Sequence, residues 1–234
     1  MSKRGKKYLA AAKLLEGVKG CDLKEAVSLL KKTSITKFDS SCEIHIRLGV
    51  DPTHAEQMVR STVSLPHGTG KTVRVVAFVS DDKVKEAKAA GAIKAGMDDL
   101  IEEIIKGFLD FDVAVATPDA MKNLGKIAKI LGPKGLMPNP KAGTVTADVG
   151  KTISEISKGR VEFRTDKQAQ IHQIFGKTSF SEDQLADNLK AFLKAVLEAK
   201  PASVKGTYIE NINVATTMGP GIRLDLAKVM AELK

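Results

Sequence analysis

A chain of 234 residues, 43% hydrophobic and 28% charged, has enough apolar material to bury a core, which excludes a disordered polyampholyte and leaves room for one large domain or two ordinary ones. Its 37 Lys and Arg against 28 Asp and Glu leave a net charge of +9, a balance that favours polyanionic partners such as nucleic acid or an acidic membrane surface. No apolar stretch approaches the roughly 20 residues needed to cross a bilayer, and two cysteines, Cys21 and Cys42, lack the clustered pairs of a metal site and are expected as reduced, small apolar residues.

The opening MSKRGKKYLAAAKLLEG is basic, like the start of a signal peptide. Lys13 interrupts its apolar part and no suitable cleavage site follows, so a cytosolic protein with a basic arm is expected. The first 67 residues hold 12 Lys and Arg against 7 Asp and Glu, so the positive excess leans to this end. Asp22 with Glu25 has the form of a capping box, and Leu23, Ala26, Val27 and Leu30 then recur at helical spacing. From Cys42 to Leu48 the pattern switches to period two, with Cys42, Ile44, Ile46 and Leu48 on one face and Glu43, His45 and Arg47 on the other.

The middle reads differently. Val73 to Val79 and Val113 to Ala116 are almost continuously apolar, as expected of strands covered on both faces. Helices are predicted over Lys83 to Ala90 and Asp98 to Lys106, with Gly91 and Gly96 as breaks, and another from Asp119 towards Leu131. After Gly159 the half-wet alternation returns. Val161 and Phe163 alternate with Arg160, Glu162 and Arg164, and a turn at Asp166–Lys167 leads into a strand around Ile171 to Phe175. Ser181 with Gln184 caps a helix whose apolar positions Leu185, Leu189, Phe192, Val196 and Leu197 share a face, and Pro201 lies beyond its end. Residues 207–216 read as a last strand.

The outer segments share one style and the middle has another, which implies an insertion. The predicted fold is mixed α+β and α/β with two domains. Residues 1–67 and 160–234 form a discontinuous α+β domain, and residues 68–159 form an inserted three-layer, Rossmann-like α/β domain, with hinges near His67–Gly70 and Lys158–Gly159.

Catalytic signals are weak. Gly68-Thr69-Gly70-Lys71-Thr72 resembles the end of a phosphate-binding loop, but Leu65 stands where that motif needs its first glycine, and Thr72 leads into a strand where a helix is required. His45, His54, His67 and His172 are scattered, and no serine or cysteine has the local context of an activated nucleophile. Asp81–Asp82 and Asp98–Asp99 sit at helix starts, where they oppose the positive end of the dipole. The chain is therefore not expected to be an enzyme, and no cofactor or metal is expected.

Near the end stands Thr216-Thr217-Met218-Gly219-Pro220-Gly221, directly after a strand. The hydroxyls can donate and accept, Gly219 removes bulk where a sugar-phosphate would approach, Pro220 stiffens the turn and Met218 offers an apolar plate. A plain structural turn accounts for the same composition.

With TKFD at 36–39, LPHGTGK at 65–71, ATPD at 116–119 and the fourteen residues GPKGLMPNPKAGTV at 132–145, the TTMGP segment makes the whole chain closely resemble the bacterial-type ribosomal protein L1 family. The resemblance implies a stalk protein of the large ribosomal subunit, located on the ribosome in the cytoplasm, whose discontinuous domain binds ribosomal RNA. It also implies action near the exit site for transfer RNA, and repression of its own operon messenger RNA through a similar RNA structure. A monomer is expected when the protein is free, with no membrane association.

Carried over position by position, the family's RNA-contacting strip falls on Lys37, Phe38, Ser41, Arg164, Lys167, His172, Thr217, Met218 and Gly219. Ser41 stands where many relatives have threonine, which keeps the hydroxyl and loses a methyl. Ala169 stands where glycine is common, so a different local turn is expected there. Phe38 suits a core position equally well. With 4% aromatic residues and no tryptophan, broad base stacking is not the expected mode of binding. In the insertion, Lys122, Lys126, Lys129, Lys134 and Lys141 form a basic stretch suited either to RNA or to plain solvation.

Overall fold

The computed structural model describes residues 4–54 and 56–233. In chain order the elements are α1 (Lys6–Lys13), α2 (Leu23–Lys32), β1 (Ser41–Leu48), β2 (Arg60–Ser64), β3 (Val75–Phe78), α3 (Asp81–Ala89), β4 (Lys94–Gly96), α4 (Asp98–Ile105) and β5 (Val113–Ala116). There follow α5 (Met121–Leu124), α6 (Ala128–Leu131), a 3-10 turn (Pro140–Ala142), α7 (Val149–Ser157), β6 (Arg160–Arg164), β7 (Gln170–Lys177), α8 (Glu182–Glu198), β8 (Ile209–Thr216), β9 (Ile222–Arg223) and α9 (Leu226–Leu233). They fall into two compact units, one made of Met1–Gly70 with Val161–Lys234 and the other of Lys71–Arg160.

The discontinuous unit is built on an antiparallel sheet of order β7-β1-β8-β9. Alternation along β1 puts Cys42, Ile44, Ile46 and Leu48 at 0–2% exposure on the inner face. Helices α2 and α8 pack on each other and close that face with Leu23, Val27, Leu30, Leu185, Leu189, Phe192 and Val196. Both helices start at complete capping boxes, Asp22 with Glu25 and Ser181 with Gln184. Each spares two backbone donors from being orphaned, worth about 1 kcal/mol per cap. The rings of Phe163 and Phe192 meet edge-on at 5.2 Å, tying the small β2–β6 sheet to α8. Cys21 and Cys42 are free and buried, and burial pushes the Cys42 thiol up to about 12, so it stays an apolar filler.

The second unit holds a parallel sheet of order β4-β3-β5. Successive residues of β3 feed opposite cores. Val76 and Phe78 pack with Leu100, Ile101, Ile104, Leu124 and Leu131 from α4, α5 and α6, whereas Val75, Ala77 and Val79 pack with Ala87, Val149, Ile153 and Ile156 from α3 and α7. Helices cover both faces, which gives three layers and explains why β3 has no polar position. The helix predicted from Asp119 towards Leu131 is two four-residue pieces. Gly125 caps the first, and Ile127 (φ −106°, ψ 2°) is not helical. Glycine in the interior lowers helix stability by about 1 kcal/mol, enough to let the segment break where burial of Leu124 and Ile127 requires it.

Lys71 in the phosphate-loop look-alike is already engaged. Its Nζ donates to Asp112 Oδ1 at 2.7 Å, and Arg74 donates to Asp112 Oδ2 from its backbone N–H at 3.1 Å and its Nε at 3.2 Å. Strand β3 follows directly, so no helix N-terminus stands behind Gly68–Thr72. The Lys71 hydrogen bond, with help from Arg74, holds the Asp112 carboxyl down at about 2 from an ordinary 3.8. A depressed folded-state pKa contributes stability that is present above the unfolded value and lost as pH falls through the folded one. Asp112→Asn should therefore destabilise the inserted unit by about 1–2 kcal/mol at pH 7, after discounting for solvent screening. The gap from wild type should close between about pH 4 and pH 2, read from urea midpoints across that range. A gap that did not change with pH would show that the ion pair is not its source.

Candidate nucleic-acid interface

One face of the four-stranded sheet is covered by helices; the other carries Ser41, Glu43, His45 and Arg47 from β1 in alternation with the buried set. At one end of this open face three distant segments converge. The Ser41 N–H donates to Thr217 Oγ1 at 3.1 Å, the Thr217 N–H donates to the Ser41 carbonyl at 3.0 Å, and Lys177 Nζ donates to Ser41 Oγ at 3.0 Å. Ser41 starts β1, Lys177 ends β7 and Thr217 follows β8, so the ladder itself brings them together.

The 36–40 loop is held beside them. Asp39 accepts from Thr178 Oγ1, the Ser179 N–H and Ser179 Oγ, each at 2.9 Å, while the Ser40 N–H donates to Thr178 Oγ1 at 3.1 Å. Burial works against the charged form of Asp39, but the Ser179 and Thr178 donors outweigh it and lower its pKa. Anchored this way, the loop exposes Lys37 and Phe38. Phe38 is 61% exposed, which removes the core alternative for that ring.

Met218 projects further still, at 74% exposure, from a backbone with φ +65°, a left-handed conformation that costs a side-chain-bearing residue about 1–2 kcal/mol. The Gly219 N–H closes the turn onto the Thr216 carbonyl at 2.8 Å. A Cβ at Gly219 would run into Thr216 Oγ1, a buried hydroxyl without a hydrogen-bond partner among the described residues. Backbone strain with an exposed apolar side chain at the tip of one turn is a combination that clusters at functional sites. The Thr217 hydroxyl, by contrast, is already paired with Ser41, so it orders the platform.

Arg164, Lys167 and His172 lie elsewhere on the unit, at the β6–β7 connection; the two strands do not form the hairpin their sequence suggests, because β6 pairs with β2 and β7 with β1. All three are exposed and line a cleft of about 590 Å³ with Pro52, Met58 and Phe163. His172 pairs with His45 whereas Lys177 pairs with Ser41. At about 3.3 Å per residue this second patch is thus about 16 Å along β7 from the Ser41–Thr217 patch, with Glu43 and Ile174 between them. The turn between β6 and β7 is held by Asp166, whose Oδ1 accepts from the Gln168 and Gln170 N–H groups at 2.8 Å. Ala169 takes φ +59° with its side chain buried, a left-handed backbone that glycine adopts without strain.

The sequence reading missed Lys177, Asp39 and Thr178. Alternation from Phe175 would put Lys177 on the covered face, and it is the bulge opposite Cys42–Glu43 that turns it to the open one beside Ser41. Asp39 and Thr178 gave no local signal, because their partners lie about 140 positions away. In the inserted unit, Lys122, Lys126, Lys129 and Lys134 are exposed without an acidic partner among the described residues, and the Lys141 side chain lies outside the described part. Among the described residues no group of three or more His, Cys, Asp or Glu side chains is arranged to hold a metal, and no helix is long and apolar enough to cross a membrane.

A discontinuous α+β unit with one open sheet face, interrupted in sequence by an α/β unit whose parallel sheet is covered on both sides, defines the class as two-domain proteins with an inserted second domain. Residues 30–220 match the Ribosomal protein L1p/L10e family, and the chain belongs to it. It is similar to the large ribosomal subunit protein uL1 of Rhodococcus erythropolis, 54% identical over 225 residues that cover 96% of this chain and 94% of that one. The protein of the same name from Acidothermus cellulolyticus is 52% identical over 227 residues, covering 97% and 95%.

Proposed function

We propose that this protein is a structural, non-catalytic component of the large ribosomal subunit, working in the cytoplasm on the ribosome, and that it holds ribosomal RNA of the mobile lateral stalk. Residues 1–67 with 160–234 bind the RNA, and residues 68–159 form the insertion. Lys37, Phe38, Ser41, Thr217, Met218 and Gly219 make one patch of contact, and Arg164, Lys167 and His172 make a second. The observation that carries this reading is the Ser41–Thr217–Lys177 junction, where three strand ends lock a strained turn with Met218 exposed at its tip. The near full-length similarity to proteins named for the large subunit supports it.

Cations supply the salt-sensitive part of the affinity. Hydroxyls, backbone groups and the two apolar plates select a shaped RNA through its 2′-OH groups and splayed bases. The same surface serves the protein's own operon messenger RNA, as a repressor, and the bound stalk assists release of exit-site transfer RNA. Titration with a stalk RNA fragment, its own leader messenger RNA and an unrelated RNA of equal length tests this. The first two should bind more tightly than the third. Lys167→Ala should weaken stalk binding and reduce the log–log salt slope by about 0.7–0.9. Equal affinity for all three RNAs would overturn the proposal.

A further inference from the structure

The open sheet face holds a second arrangement, which shares His172 with the proposed RNA patch. His45 on β1 and His172 on β7 are direct partners across the antiparallel ladder, with their Nδ1 atoms 2.8 Å apart and ring centroids at 5.0 Å. Behind each ring, at its other nitrogen, stands a carboxylate. Glu43 Oε2 lies 3.8 Å from His45 Nε2, and Asp166 Oδ2 lies 3.5 Å from His172 Nε2. A carboxylate beside Nε2 favours the tautomer protonated there and leaves Nδ1 with a free lone pair. Applied to both rings, two lone pairs converge on one space. That space is repulsive when empty and favourable when a proton or a cation occupies it. Carboxylate behind imidazole is also the arrangement that orients metal-ligating histidines.

We propose that His45 and His172 form a two-nitrogen site for a borderline divalent transition ion such as Zn²⁺ or Ni²⁺, with Glu43 and Asp166 orienting the rings. Neutral imidazole suits these ions, whereas Mg²⁺ and Ca²⁺ prefer oxygen. Two nitrogens bound to zinc at about 2.0–2.1 Å and a tetrahedral angle are about 3.3 Å apart, so the pair needs to open by about 0.5 Å. His172 is exposed and His45 only partly buried, so small ring rotations suffice. The ladder fixes both Cα positions in advance, which lowers the ordering cost of binding. No third protein ligand joins them among the described residues, so the remaining positions fall to water or a phosphate oxygen.

Isothermal titration of the full chain with Ni²⁺ and Zn²⁺, with Mg²⁺ as the control ion, tests the site without reference to RNA. One equivalent of Ni²⁺ or Zn²⁺ should bind and Mg²⁺ should not. His45→Ala and His172→Ala should each weaken binding at least tenfold. Glu43→Gln should weaken it by about tenfold with an unchanged unfolding temperature. No binding at millimolar ion would overturn the proposal, as would binding unaffected by either histidine substitution or abolished by His54→Ala instead. RNA binding retained by a chain that takes up no ion would sink this site alone.

Discussion

Asn188→Ala should destabilise the discontinuous unit by about 3 kcal/mol, more than any other single polar truncation proposed for it. Asn188 is wholly buried on α8, and its amide uses both ends. Nδ2 donates to the Phe175 and Gly68 carbonyls at 2.8 Å, and Oδ1 accepts from the His67 N–H at 3.0 Å. Truncation leaves three backbone groups without partners, each costing about 1–3 kcal/mol, less where water reaches the part-buried pair at His67 and Gly68. Asn188→Asp keeps the acceptor for His67 but turns a carboxylate towards two carbonyls, so it should be no better tolerated. Because the chain has two units, the loss should be read by amide exchange in β1 and β7 alongside urea unfolding. A shift below about 1 kcal/mol would mean that the surrounding chain re-pairs these groups by itself.

Gly219→Ala should weaken stalk RNA binding at least tenfold, about 1.4 kcal/mol, while moving the unfolding temperature by only a few degrees. The new methyl meets Thr216 Oγ1 and lies 3.2 Å from the Thr216 carbonyl. Thr216 cannot yield, because it is buried and paired with Cys42 in the ladder. Met218 beside it already sits at φ +65°, so the turn has little room to absorb the clash. Met218→Gly provides the companion measurement. Releasing the left-handed strain should leave stability unchanged or raised, while removing the apolar plate should lower affinity. Parallel changes in both properties would assign the turn to folding alone.

Much of the fold can be read locally. The capping pairs Asp22/Glu25 and Ser181/Gln184 act within three residues, the alternation from Cys42 to Leu48 is a period-two pattern, and the apolar run through Val79 marks a doubly covered strand. Such signals rest on bonds and faces set by neighbouring residues, so they survive without knowledge of the rest of the chain. Short elements were missed. β2 and β9 are too short to carry a pattern of their own, whereas α7, with Val149, Ile153 and Ile156, and α9, with Leu226, Val229 and Leu233, hold apolar residues at helical spacing that local reading could have found.

The sequence by itself determined the family, the two styles of secondary structure and the residue types at the outward end of each half-wet strand. Tertiary structure alone decided which of those residues meet. Ser41 and Thr217 are 176 positions apart, and His45 and His172 are 127 apart. Their contacts depend on strand order and on a register interrupted by a bulge between Cys42 and Glu43. A one-residue slip would move every side chain of β1 to the other face, and no local pattern encodes which partner strand enforces the choice. For the same reason, the exposure of Phe38, the engagement of Lys71 by Asp112, the pairing of β6 with β2 instead of β7 and the separation of the two candidate patches belong to the folded molecule.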